Sequence, residues 1–93
     1  MNKRKELELK NLLISTMDKL VKESISSLVT AIRSVDNLMQ EYPDEQSAAY
    51  LKVHRDGLKS LYNARREEQR ELKATREAVL AELKRVRRSS NGS

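Results

Sequence analysis

Glu41-Tyr42-Pro43-Asp44-Glu45 is the stretch on which the fold turns. Proline disfavours helical geometry at the residue before it, so a helix arriving at Glu41 has to end near Tyr42. Asp44 is a good N-cap residue, because its carboxylate accepts the free N–H groups of a new first turn. Glu45 then places negative charge at the positive end of that helix. One helix therefore stops near residue 41 and another starts near residue 44. A connector this short makes the two helices antiparallel neighbours.

The sequence on either side is helical in composition. Of 93 residues, 35% are charged and 38% hydrophobic, with one Pro, two Gly, no Phe and no Trp. Sheet proteins need more aromatic and β-branched residues, and more glycine at their turns. The expected fold is all-α: an antiparallel, coiled-coil-like hairpin of helix 1 over about 3–41 and helix 2 over about 44–88. Together they make one domain over residues 1–88, and the small polar residues 89–93 read as a disordered tail. Ser15 and Asp18 have capping-box spacing, which leaves a separate short first helix as an alternative.

The apolar residues give the seam. Val21, Ile25, Leu28, Ile32, Val35, Met39 and Tyr42 are separated by alternating steps of four and three, which is the coiled-coil repeat. In helix 2 the matching positions are Leu51, Leu58, Leu61, Leu72, Val79 and Leu83, interrupted by a polar waist from Asn63 to Glu71. Folding at Pro43 places residue i beside residue about 86 − i, since both arms rise equally per residue. The waist then faces Asp18, Lys19, Lys22 and Glu23, so polar meets polar. Nearer the N-terminus the stripe moves to Leu9, Leu13, Met17 and Leu20, which predicts a change of face or a kink near Ser15-Thr16. With Leu80, these four are the candidate partner-binding residues. Beside the seam, Ser24, Ser27, Ala31 and Ser34 form a line of small side chains.

Two helices bury one face each, and a chain with no Cys has no disulfide to compensate. The expectation is that the hairpin completes a four-helix bundle with a second copy or another helical protein.

Charge is unevenly spread. Residues 1–46 hold seven Lys/Arg and eight Asp/Glu, whereas residues 47–93 hold twelve and six, for a net +5 overall. The basic end, Lys84, Arg85, Arg87 and Arg88, exceeds what the helix dipole requires and is expected beyond the last paired turn. Those four are the candidate anion- or nucleic-acid-binding residues. Aromatic residues for base stacking are not interleaved with them.

Catalytic and metal readings find no support. His54-Arg55-Asp56 imitates the catalytic-loop triplet of protein kinases, but the chain lacks that fold's length and its glycine-rich loop. His54 is the single histidine and reads as a seam or boundary residue near Ile32 or Arg33. The alternating Glu and Arg residues from Arg66 to Arg85 read as a solvated helix face with i,i+3 and i,i+4 pairs. The expected function is thus non-catalytic scaffolding through bundle assembly, with no cofactor, no metal and no small-molecule substrate. The alternatives are a nucleic-acid-associated protein using the basic end, or a small secretion-type chaperone. No apolar run approaches the roughly 20 residues of a membrane span. The basic N-terminus is followed by Glu6 and Glu8, unlike a secretory signal. Both features predict an intracellular protein, cytoplasmic or nuclear.

Overall fold

The structure, a computed structural model, describes residues 2–91. It consists of two helices packed side by side, α1 (Lys3–Glu41) and α2 (Glu45–Asn91), with no strand among the described residues. Of the expected tail, residues 89–91 continue α2, while Gly92 and Ser93 lie outside the described residues.

Local chemistry explains each end. The Asn2 side chain accepts the Lys5 N–H at 2.8 Å, and Glu6 follows in the first turn of α1. Tyr42 leaves the helix with φ −122° and ψ 73°, and its N–H still reaches the Leu38 carbonyl at 2.9 Å. Asp44 Oδ2 accepts the Ser47 N–H at 2.9 Å. That hydrogen bond favours the ionised carboxylate and lowers the Asp44 pKa below its ordinary value. Between these ends α1 is unbroken. The Ser15–Asp18 spacing starts no new helix, and the Thr16 hydroxyl instead donates to the Leu12 carbonyl at 3.1 Å.

A single heptad frame runs the full length of both helices. With Leu7 and Leu51 as position d, the d residues of α1 are Leu7, Ile14, Val21, Leu28 and Val35, and its a residues, after the exposed Arg4 in its first turn, are Asn11, Asp18, Ile25, Ile32 and Met39. In α2 the d residues are Leu51, Leu58, Arg65, Leu72, Val79 and Val86, and the a residues are Arg55, Tyr62, Gln69, Arg76 and Leu83. All of these but Arg4 are buried or half-buried. The expected change of face near Ser15 is therefore corrected. The seam continues through Leu7, Ile14 and Val21, while Leu9, Leu13, Met17 and Leu20 are exposed. The frame was hidden because its a positions there are the polar Asn11 and Asp18, so the densest apolar stripe is not the buried one.

Two further seam expectations are corrected. Leu61 is 49% exposed and Tyr42 54% exposed. Leu61 falls at position g, beside the seam, and Tyr62 takes the seam position next to it. Contacts between the helices include Lys3–Glu82 at 3.4 Å, Asp36–Arg55 at 2.7 Å and the Arg76 guanidinium donating to the Ser15 hydroxyl at 2.9 Å. They centre on residue i facing residue about 90 − i, a shift of about four from the simple fold-back, because a residues of one helix interlock with d residues of the other.

The well-buried core sits at the open end of the hairpin. Leu7, Ile14, Val79 and Leu83 cluster there, with Leu72 and Val86 packed against them. Toward the turn, Ile25, Leu28, Ile32, Val35 and Met39 are only half-buried, as are Leu51 and Leu58. In the waist, Gln69 and Arg66 share a groove with Asp18 and Lys22.

Leu7 is 1% exposed and Leu83 3% exposed. Leu7→Ala and Leu83→Ala should each destabilise the protein by about 2–5 kcal/mol in urea denaturation. Leu9→Ala, on the outer surface, should stay within about 0.5 kcal/mol of wild type; equal losses at all three sites would contradict the frame. Asp44→Ala should lower the melting temperature at pH 7. Because the folded-state pKa of Asp44 is depressed, its contribution is present above the unfolded value of about 3.9 and is lost as pH falls through the folded value. The difference between variant and wild type should therefore close in acid; a difference independent of pH would show that the cap does not act through its charge.

Candidate functional site

The hairpin presents two long edges, and the heptad frame assigns residues to each. Positions e and b of both helices form one edge, and positions g and c form the other. The contacts across the seam agree. Lys3 and Glu82, both at g, pair at 3.4 Å, and Glu8 and Arg87, both at e, lie 4.0 Å apart.

The two edges differ in chemistry. The e/b edge carries eleven Lys/Arg and five Asp/Glu, a net +6, while the g/c edge carries three and five, a net −2. The remaining residues, at a, d and f and in the turn, carry a net +1, so the chain's excess of positive charge lies on the e/b edge. This segregation was missed from the sequence, which shows only that charge increases toward the C-terminus. Lettering both helices in one heptad frame would have exposed it.

Three grooves lie along the e/b edge. One, near the open end, is lined by Glu8, Leu12, Leu80, Lys84 and Arg87. The second, of about 460 Å³, gathers Lys22, Arg66, Arg70, Lys73 and Arg76 around Ile14, Asp18 and Gln69. The third is lined by Val29, Ile32, Arg33, Lys59, Tyr62 and Asn63. Some of this charge is locally neutralised, with Lys22 bound to Asp18 at 3.0 Å and Arg70 to Glu67 at 2.6 Å.

The g/c edge carries exposed apolar side chains: Leu13, Met17, Leu20 and Leu38 from α1, and Tyr50 and Leu61 from α2. Between them lie Ser24, Ser27, Ala31 and Ser34 of α1 and Gly57, Ala64 and Ala78 of α2. A Cβ added at Gly57 would meet nothing within 4 Å. Of the five expected partner-binding residues, Leu13, Met17 and Leu20 share this edge. Leu9 lies on the outer surface of α1, and Leu80 lies on the basic edge beside Leu12.

The basic end does not form one patch. Lys84 and Arg87 line the e/b groove, Arg85 is on the other edge and pairs with Glu82 at 3.4 Å, and Arg88 is at the outward position f. Nor do these residues lie beyond the paired turns, since Arg87 reaches Glu8 of α1. The shifted register brings α1 alongside them.

His54 is exposed and stands edge-on to Tyr50, with ring centroids 4.7 Å apart. The residue at the seam is its neighbour Arg55, whose Nε lies 2.7 Å from Asp36 Oδ1. That Nε is sheltered from solvent, but its N–H is not aligned for a hydrogen bond, so the contact is an ion pair rather than a directed bond. Among the described residues no three His, Cys, Asp or Glu side chains are grouped to hold a metal ion. No described helix is long and apolar enough to cross a membrane. No protein-family model, curated protein or solved structure matches the chain.

Proposed function

We propose that the chain is a non-catalytic assembly subunit, and that two copies pack their g/c edges together into a four-helix bundle. The observation carrying this reading is excess surface. The chain exposes 7188 Å², whereas a compact monomer of its mass exposes roughly 5,500 Å². Burying the excess of roughly 1,700 Å² on each of two chains gives a total inside the range of obligate homodimers, roughly 2,000–5,000 Å². The shape accounts for the excess. The hairpin measures 73 × 17 × 14 Å, with a radius of gyration of 20.8 Å, against about 12 Å for a compact domain of this length.

The layout of the edge favours a second copy over an unrelated helix. Except for Leu38 near the turn of α1, its large side chains lie on a diagonal: Leu13, Met17 and Leu20 on the open half of α1, and Tyr50 and Leu61 on the turn half of α2. The small ones occupy much of the other diagonal, from Ser24 to Ser34 on α1 and at Ala78 on α2. A two-fold axis along the hairpin sets α1 of one copy against α2 of the other at the same height. A two-fold axis across it sets α1 against α1 with the heights reversed. The second operation lays Leu13, Met17 and Leu20 of each copy on the small residues Ser24 to Ser34 of the other, which is the self-complementarity an isologous interface requires. The near-neutral edge also avoids the repulsion that would oppose pairing through the basic one. Through such pairing the protein would act as a rigid scaffold.

Light scattering should give twice the chain mass of 10.7 kDa. Leu20→Asp and Leu61→Asp replace exposed side chains and should yield helical monomers, while Leu9→Asp should leave the dimer intact. A stable wild-type monomer, or a dimer indifferent to both edge substitutions, would overturn the reading.

A further inference from the structure

We infer that the e/b edge is a binding surface for double-stranded nucleic acid, engaged through the phosphate backbone without base readout. The inference does not rest on the pairing of the g/c edges. It rests on a ladder of cations along α2. Lys52, Lys59, Arg66 and Lys73 recur every seven residues at position e, which spaces them about 10.5 Å apart along a straight helix. None of the four makes an ion pair among the described residues, although Arg55, Arg65, Arg70 and Lys22 around them are paired. Of the acids on this edge, Glu8 is paired with Arg4 and Asp36 with Arg55, and Asp56 and Glu77, each one turn from a rung of the ladder, make no ion pair with it among the described residues. The ladder therefore presents unneutralised charge in a fixed line.

The shape of the surface selects the polyanion. The ladder is linear, rigid and carried on preformed helices, which suits the regular phosphate array of a duplex, where one charge occurs about every 1.7 Å along the axis. Single strands are bound through stacked bases, and this edge offers only Tyr62, half-buried in the seam. A membrane surface would require apolar side chains to insert among the cations. The exposed large ones on this edge, Leu12 and Leu80, sit together at the open end, one heptad beyond Lys73 and not among the cations of the ladder. With no exposed aromatic side chain on this edge to stack on a base, the contact is one of charge and shape.

The test uses the full chain and a fluorescent mixed-sequence DNA duplex, with anisotropy recorded over a salt series. Wild type should bind with an affinity that falls as salt rises. The triple variant Arg66→Gln, Arg70→Gln, Lys73→Gln should lose at least about tenfold in affinity, and its log–log salt slope should become shallower by about three. Lys52→Gln with Lys59→Gln should act in the same direction. Lys3→Gln, Lys10→Gln and Arg85→Gln together remove the same charge from the opposite edge and should change affinity by less than about threefold. Circular dichroism and light scattering on every variant separate loss of binding from loss of fold or assembly. Equal losses in the two triple variants would reduce the effect to net charge and overturn the inference. So would failure of wild type to bind the duplex at about 0.1 M salt, or preferential binding to phosphatidylserine vesicles.

Discussion

Interlocking of side chains at a and d positions along one seam is the constraint on which the rest of this protein depends. It is uneven in strength. At the open end Leu7, Ile14, Val79 and Leu83 exclude water, and toward the turn the seam is only half-buried. The half near the turn is held by different means. Pro43 and the Asp44 cap confine the chain reversal, and the Asp36–Arg55 ion pair crosses the helices close by. A hairpin closed covalently at one end and by its densest packing at the other keeps its long middle aligned even where Asp18, Arg65 and Gln69 replace apolar residues.

Those polar positions do more for specificity than for stability. An apolar side chain facing Asp18 or Gln69 in a slipped register would strand a polar group away from water, at a cost that a correctly aligned waist avoids. The exposed ion pairs along the helices contribute little each. Alignment, once set, decides what both edges look like. Slipping α2 by one heptad would preserve each helix's own pattern but separate Lys22 from Arg66. The edges are thus consequences of the seam and need no contacts of their own to be built.

The two edges differ in chemistry in a way that a seven-residue repeat makes simple. One side of the repeat collects cations and the opposite side collects aliphatic and small side chains. A rod with a near-neutral edge and a cationic edge can pair through the first and leave the second facing outward. In that arrangement a dimer would present its two basic edges on opposite sides of the bundle, where they repel least.

The all-α class and the hairpin could be read from particular residues: the Pro43–Asp44 punctuation, the three-and-four spacing from Val21 to Met39, and the paucity of glycine and aromatics. These are local properties, set by backbone geometry and by what each residue does to its own turn, so the chain determines them without reference to a partner. The seam near the N-terminus was not legible in the same way. Leu9, Leu13, Met17 and Leu20 make the denser apolar stripe, and only packing against α2 shows that Leu7, Ile14 and Val21 are the buried ones. The distribution of charge was hidden for a related reason. Lys22 and Arg66 are far apart in the chain and become neighbours only when the seam sets the rotation of one helix against the other. The sequence by itself determined two helices and the bend between them. The tertiary structure decided which way each helix faces, because that rotation is set by which side chains of the two helices interlock across the seam, a match that neither helix carries alone.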